Sequence, residues 1–186
     1  MKDMQHLLTL LREWDIKVFK FINGTLHNEL LAAAMKWTAN DVFLIIVVLG
    51  LFVFLWRSGE KKEKVNTAFA LWTLITVNIA SNIFLKPFFK RGRPPVELEK
   101  VNILFTMKKY SYAFPSTHTA MAVALAVILW DDYKPLKPAL VLFVCCVGFF
   151  CVYSGGQYPG DVVGGFLLGW VFGKTAQLIK NKSYKR

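Results

Sequence analysis

Residues 65–85 read VNTAFALWTLITVNIASNIFL, and this run of 21 residues contains no Asp, Glu, Lys or Arg. An α-helix rises about 1.5 Å per residue, so the run is about 31 Å long, which matches the hydrocarbon thickness of a bilayer. Residues 110–130 and 138–160 are uncharged in the same way. The sequence therefore predicts helices that span a membrane.

The composition also favours a membrane protein over a soluble one. Of the 186 residues, 55% are hydrophobic and 19% are charged, and the mean hydropathy is +0.40. Soluble domains have about 45–50% apolar and about 25% charged residues. These values exclude a disordered chain, a collagen and a small disulfide-stapled domain. The three cysteines, Cys145, Cys146 and Cys151, are expected to be small buried hydrophobic residues.

We predict a single all-α domain, a polytopic transmembrane helix bundle with about five spans. The spans are expected at about 41–57, 65–86, 115–130, 138–155 and 161–177. Residues 4–22 place apolar side chains at spacings near 3.6, which predicts an amphipathic helix at the membrane interface. Residues 1–186 are thus divided into N-terminal interfacial helices, 1–40, and a transmembrane core, 41–180.

Basic residues predict which end of the bundle faces the cytoplasm. Loops 57–64 and 131–137 and the C-terminal tail are expected on one side, and their lysines and arginines mark it as cytoplasmic. The opposite side receives loop 86–112, which is also basic, and binding of an anion would explain this exception. Within that loop Lys90 and Arg91 are expected to contact lipid headgroups. The net charge of +11 is thus assigned to membrane topology and anionic lipids, with no nucleic acid as partner.

This topology brings polar residues from three distant segments to the outer face. They are Lys86, Arg93, Ser116, Thr117, His118, Gln157 and Asp161. Lysine offers a point charge, arginine a planar fork, and the start of a helix offers free N–H groups. A histidine can transfer protons near neutral pH. The chemistry suited to this set is the binding of phosphate.

Small residues follow a regular pattern in the last span. Gly165, Gly169 and Gly173 repeat every four residues, a spacing that predicts close packing against another helix. In the second span, hydrogen bonds between helices are expected from Asn66, Asn78, Ser81 and Asn82. These residues therefore indicate packing rather than chemistry.

Three stretches of sequence carry a family resemblance. Residues 86–94, KPFFKRGRP, fit the pattern K-x6-R-P, and residues 115–118, PSTH, fit P-S-G-H except at Thr117. Residues 150–161, FCVYSGGQYPGD, occupy the place of S-R-x5-H-x3-D. In order and spacing the chain resembles, over about residues 65–180, the type 2 phosphatidic acid phosphatases. These are integral-membrane lipid phosphatases related to the vanadium haloperoxidases, and the resemblance implies metal-free catalysis without a cofactor.

The resemblance implies that four residues bind the phosphate. Lys86 and Arg93 would neutralise its charge, while Ser116 and Thr117 would donate hydrogen bonds. The residues alone leave simpler roles open. Lys86 can reach the interface merely as a snorkelling side chain, and Ser116 can merely cap the helix that it begins.

Three further positions are implied in catalysis. His118 would protonate the leaving oxygen, and position 157 would hold a nucleophile that Asp161 orients. From the residues alone, His118 could instead be a core histidine, and Asp161 could cap the last span.

The third motif departs from the family pattern. Phe150, Cys151 and Gln157 stand where the family has serine, arginine and the nucleophilic histidine. A glutamine amide is not basic and cannot attack phosphorus. Three explanations stay open here: Gln157 is an introduced inactivating change, the chain is a natural non-catalytic binder, or it is active by another route, such as attack by water.

The resulting expectation is a membrane lipid phosphatase that hydrolyses a phosphate monoester or a pyrophosphate. Substrates expected from the resemblance are undecaprenyl pyrophosphate, phosphatidylglycerophosphate or the 1-phosphate of lipid A. The chain would lie in a bacterial inner (plasma) membrane, with its site open to the periplasm or the exterior. The alternative is a pseudo-enzyme that binds lipid phosphates without cleaving them.

Overall fold

The structure is a computed structural model that describes residues 2–38, 52–53, 56–57, 59–104 and 112–183. Every regular element within these residues is a helix, as predicted. Nearly all of the predicted first span, at about 41–57, lies outside the described residues, as do the last three residues of the basic tail.

The helices are numbered in chain order. The α-helices of the described part are α1 (Lys2–Lys20), α2 (Glu29–Thr38), α3 (Lys61–Ile79), α4 (Lys86–Phe89), α5 (Pro94–Glu97), α6 (Thr117–Leu129), α7 (Lys137–Tyr153) and α8 (Pro159–Ser183). A π-helical stretch, Phe21–Thr25, continues α1, and another, Ala80–Leu85, joins α3 to α4. A 3-10 turn, Lys134–Leu136, precedes α7.

Three stretches of the described chain are long and apolar enough to cross a bilayer. They are Lys61–Glu97, Lys134–Tyr153 and Pro159–Ser183. Helix α6 is also apolar, but its 13 residues extend only about 20 Å. The transmembrane helical class is confirmed, whereas the number of about five spans stays a prediction.

The predictions about the N-terminal helix and about the cysteines have different outcomes. Residues 4–22 are helical, and the apolar side chains of Leu7, Leu11 and Trp14 are exposed, but the interfacial position of this helix stays a prediction. Cys145 and Cys146 are exposed on α7, so the prediction that they are buried is wrong. On a membrane helix the outward apolar face meets lipid, which accommodates a thiol as well as a protein core does.

Helices α6 and α8 lie side by side and parallel, and glycines allow their backbones to touch. A Cβ atom added at Gly165 would lie 2.4 Å from the carbonyl oxygen of Ser116. One turn further on, a Cβ at Gly169 would lie 2.2 Å from the carbonyl oxygen of Ala120. The predicted packing role of these glycines is thus confirmed.

The parallel arrangement brings the beginnings of α6 and α8 together. The backbone N–H of Ser116 donates to the carbonyl oxygen of Asp161 over 2.9 Å. Both helices therefore point their free N–H groups and the positive ends of their dipoles at the same end of the bundle.

The opposite end is held by a buried lysine. Lys180 donates to the carbonyl oxygen of Ile128 over 3.1 Å and pairs with Asp132, which also lies 3.3 Å from Lys62. These contacts confirm that loop 57–64, loop 131–137 and the end of α8 share one side. Partial burial acts against the charge of Asp132, but the hydrogen bonds and charges of the two lysines hold its pKa below the usual value.

Replacing Gly169 with alanine should disturb the contact between α6 and α8. The new methyl group meets backbone, which cannot move aside as a side chain can, so we expect the free energy of unfolding to fall by about 1–3 kcal/mol. Gly24→Ala is the matched control because nothing lies within 4 Å of its added Cβ. Thermal unfolding in detergent micelles measures both variants, and equal stability of the two would contradict the close contact.

Asp132→Asn should destabilise the other end by about 2–4 kcal/mol, because it leaves the ammonium of Lys180 buried without its counter-charge. Since the folded pKa of Asp132 is lowered, its contribution is present above the unfolded pKa of about 4 and is lost as pH falls through the folded value. The measurement is thermal unfolding at pH 7 and at pH 3, where the variant should approach the parent. Asp131→Asn, next in sequence and exposed, is expected to cost less at both pH values.

Candidate active site

Ser116 begins α6 and is completely buried. Its hydroxyl oxygen accepts from the N–H of Thr119 over 3.4 Å and from the hydroxyl of Thr119 over 3.0 Å. The hydroxyl oxygen also lies 3.7 Å from the sulfur of Cys151 on α7. The predicted capping role of Ser116 is thus confirmed, and the contact with Cys151 joins α7 to the same end of the bundle.

The π-helical stretch after α3 delivers Lys86 to this end. Lys86 is 8% exposed, and its ammonium donates to the side-chain oxygen of Asn82 over 2.8 Å. The hydroxyl of Thr117 donates to the same oxygen over 3.3 Å and lies 2.7 Å from the hydroxyl of Ser81. The predicted interhelical hydrogen bonds of Ser81 and Asn82 are confirmed, and they hold Lys86 beside the start of α6. The same prediction is wrong for Asn66, whose buried side-chain amide has no hydrogen-bond partner among the described residues.

Arg93 lies just before α5 and reaches the turn that precedes α8. Its guanidinium donates to the carbonyl oxygen of Gly156 over 3.0 Å. The charge of Arg93 acts on Lys86, and Asp161 lies near enough to both cations for its charge to act on each of them. The structure therefore brings together cations that are seven residues apart in sequence.

Asp161 lies in the first turn of α8 and is completely buried. One carboxylate oxygen accepts from the N–H of Tyr158 over 2.8 Å, as an acidic residue does in the third position of a capped helix. The other oxygen accepts from the guanidinium of Arg91 over 2.8 Å. The capping alternative is confirmed, and an orienting role towards residue 157 stays a prediction.

Arg91 has contacts that the sequence did not indicate. Its guanidinium pairs with both Asp161 and Asp15, and it lies over the ring of Tyr158 at 4.4 Å from the centroid. The expectation that Arg91 contacts headgroups is therefore replaced by a bridge between two carboxylates. No local pattern could have revealed it, because Asp15 lies 76 residues earlier.

Tyr158 is buried at this end of the bundle, where its ring contacts Phe19 and Arg91. Its hydroxyl donates to a carboxylate oxygen of Glu97 over 3.2 Å. Burial and the neighbouring charge of Glu97 raise the pKa of the phenol above its usual range. Tyr158 is therefore a neutral hydrogen-bond donor throughout the physiological pH range.

Gln157 lies in the centre of the turn and is 6% exposed. Its backbone N–H donates to the carbonyl oxygen of Cys151 over 3.1 Å, so two of the departures from the family pattern, Cys151 and Gln157, are adjacent in space. The side-chain oxygen of Gln157 is buried and has no hydrogen-bond partner among the described residues. A buried acceptor of this kind indicates room for a donor that comes from a ligand or a water molecule.

His118 follows Thr117 in the first turn of α6, and its side chain is exposed. The alternative of a core histidine is therefore wrong, whereas the role of general acid stays a prediction. In the described part of the chain, no three His, Cys, Asp or Glu side chains come together as a metal site would require.

Comparisons with known proteins agree with the motifs. The undecaprenyl-diphosphatase BcrC of Bacillus subtilis is 23% identical over 169 residues, which cover 88% of this chain and 85% of that protein. A lipid A 4'-phosphatase of Bacteroides thetaiotaomicron is 25% identical over 180 residues, with 89% and 78% covered. Both names describe phosphatases of membrane lipids.

The fold agrees with a solved structure as well. A PAP2-type phosphatidylglycerolphosphate phosphatase from Bacillus subtilis superposes with a TM-score of 0.72 at 20% identity, and the match covers 93% of this chain and 87% of that one. The model of the PAP2 superfamily matches residues 66–185, well over half of the sequence. The resemblance is thus confirmed, and the chain belongs to the PAP2 superfamily.

Proposed function

We propose that this chain binds the phosphate group of a membrane lipid at the end of the bundle where α6 and α8 begin. The observation that carries the proposal is the position of Lys86 and Arg93. Lys86 is 8% exposed, and Asn82 holds it beside Thr117 in the first turn of α6, while Arg93 contacts the carbonyl oxygen of Gly156 in the turn that precedes α8. Two like charges in a poorly hydrated place repel each other, and an anion bound between them relieves that repulsion.

The surrounding groups suit a phosphate in particular. The guanidinium of Arg93 is planar and can hold two oxygens, while Lys86 adds a point charge. The first turns of α6 and α8 supply helix N-termini, which favour anions. Because Lys86 donates to the amide of Asn82 and not to a carboxylate, an incoming phosphate does not have to displace an ion pair from it.

The reaction that we propose is hydrolysis of a phosphate monoester or pyrophosphate. Lys86 and Arg93 neutralise the charge that builds up on the phosphoryl oxygens, and Ser116 and Thr117 donate hydrogen bonds to them. The bond from phosphorus to the lipid oxygen breaks, and His118 supplies the proton that this oxygen takes up. In the family pattern, residue 157 is the nucleophile and Asp161 orients it.

Gln157 sets a limit on the catalytic rate of this chain. Its amide cannot form the covalent intermediate that a histidine would form, so a water molecule must attack phosphorus. The carboxylate of Asp161 also faces Arg91 and the N–H of Tyr158. The second candidate function is therefore a binder of lipid phosphates without turnover, which Gln157 favours.

The names of the relatives support the proposed substrate class. They point to an isoprenoid diphosphate or the phosphate of a glycolipid, and we include phosphatidylglycerophosphate as a third candidate. We place the chain in a bacterial inner membrane with the site facing the periplasm or the exterior. The lysines and arginines of loops 57–64 and 131–137 and of the C-terminal tail support this orientation, because by the positive-inside rule they mark the opposite side as cytoplasmic.

Restoring the family residues should raise turnover. We expect Gln157→His to increase phosphate release by about a hundredfold or more, and Gln157→His with Cys151→Arg to increase it further, because a covalent nucleophile and a phosphate-binding cation are returned. The assay measures inorganic phosphate from each of the three lipids in detergent. Gln157→Asn is the control, since it changes the same residue but keeps an amide that cannot act as a nucleophile. Release that stays at background in every variant would contradict the hydrolase and leave the binder.

Lys86→Met should weaken lipid binding without unfolding the bundle. Loss of one buried cation is expected to lower the affinity for a short-chain phosphatidic acid about 10–100-fold, measured by titration calorimetry in micelles. Lys90→Met, an exposed neighbour in the same loop, is the matched control and should bind as the parent does. Equal effects of both variants would show that the lysines act only through the overall charge of the loop, and would refute the site.

A further inference from the structure

Asp15 on α1 makes two contacts with the site end of the bundle. One carboxylate oxygen accepts from the backbone N–H of Gly160 over 2.7 Å, and the other pairs with the guanidinium of Arg91. Gly160 is the second residue of α8, so its N–H has no partner within the helix. A side chain 145 residues away in sequence thus caps the helix on which Asp161 lies.

Arg91 connects Asp15 to each of the segments that form the proposed site. Its guanidinium reaches Asp161, and its backbone carbonyl oxygen accepts from the N–H of Ala113 over 2.8 Å, three residues before Ser116. Two residues after Arg91 in sequence comes Arg93. The position of Arg91 therefore affects both Arg93, which contacts Gly156, and residues 113–116, which lead into α6.

Apolar and amide contacts hold α1 in place beside this bridge. Phe19 is buried, and its ring packs edge-on against Tyr158 with 5.4 Å between centroids. Asn23, just after α1, donates to the carbonyl oxygens of Asn102 and Tyr153, each over 2.8 Å. Asp15 is 11% exposed, so its charge is largely removed from water, and its two donors must compensate for that loss.

We propose that Asp15 is a positioning residue of the phosphate site: it holds Arg91 and the first turn of α8 in the places that allow Arg93 and the turn at Gln157 to meet the phosphate. This inference rests on the proposed function. Asp15 does not touch the phosphate itself and acts through Arg91 and Gly160. Docking of α1 and binding of phosphate are then coupled, and each favours the other by the same factor.

The test compares Asp15→Asn with Asp3→Asn, an exposed acid on the same helix, in the full chain in detergent micelles. We expect Asp15→Asn to raise the Kd for a short-chain phosphatidic acid about tenfold, because a charge-assisted contact is lost. Asp3→Asn should leave this Kd unchanged. Asp15→Glu, which keeps the charge, should recover most of the affinity. If Asp15→Asn does not fold, Arg91→Lys serves instead, because one ammonium cannot hold both carboxylates in the same geometry.

Two further readouts separate positioning from simple stabilisation. Hydrogen exchange of residues 158–161 should be faster in Asp15→Asn, and saturating phosphatidic acid should slow it in the parent protein. A lower melting temperature with an unchanged Kd would show a structural role only and would overturn the inference. A parent chain that does not bind the lipid at all would overturn the proposed function, and this inference with it. If the parent binds the lipid and the Asp15→Asn variant binds it equally tightly, the inference is overturned but the proposed function is not.

Discussion

The backbone contact between two parallel helices, α6 and α8, is the constraint on which the site depends. Gly165 and Gly169 let the helices approach until a methyl group would collide with the carbonyl oxygens of Ser116 and Ala120. At their beginnings, the N–H of Ser116 donates to the carbonyl oxygen of Asp161. Two helix N-termini therefore open at one place, and this arrangement favours an anion before any charged side chain is added.

The two ends of the bundle use charge in different ways. At one end Lys180 is buried against Asp132, so its charge is satisfied within the protein. At the other end Lys86 donates to the side-chain amide of Asn82. A neutral acceptor orients the ammonium of Lys86 without cancelling its charge, which leaves that charge for a ligand.

Much of the fold follows from the sequence, because an uncharged run of 21 residues has few alternatives to a membrane helix. The convergence of Lys86, Ser116 and Asp161 could be predicted from the alternation of the spans alone. The bridge from Asp15 through Arg91 could not, since an ion pair across 76 residues leaves no local pattern. The sequence allows Asp161 either a cap or an orienting role, and its cap becomes visible only in the structure, where it accepts from the N–H of Tyr158.

At position 157 the structure adds contacts that the motif does not reveal. Gln157 and Cys151 contact each other through the backbone, and the oxygen of Gln157 is buried without a partner among the described residues. The proposed phosphate site thus surrounds a turn in which a glutamine stands where the family has its nucleophilic histidine. Binding and turnover of a lipid phosphate can be measured separately.

The most direct measurement is an experimental structure with tungstate, an oxyanion of phosphate shape whose heavy atom is located by anomalous scattering. We expect a single strong peak within hydrogen-bonding distance of Lys86, Arg93 and the backbone N–H groups at the start of α6. A peak at the basic C-terminal end of α8, or no peak near Lys86 at concentrations that saturate binding, would contradict the proposed phosphate site.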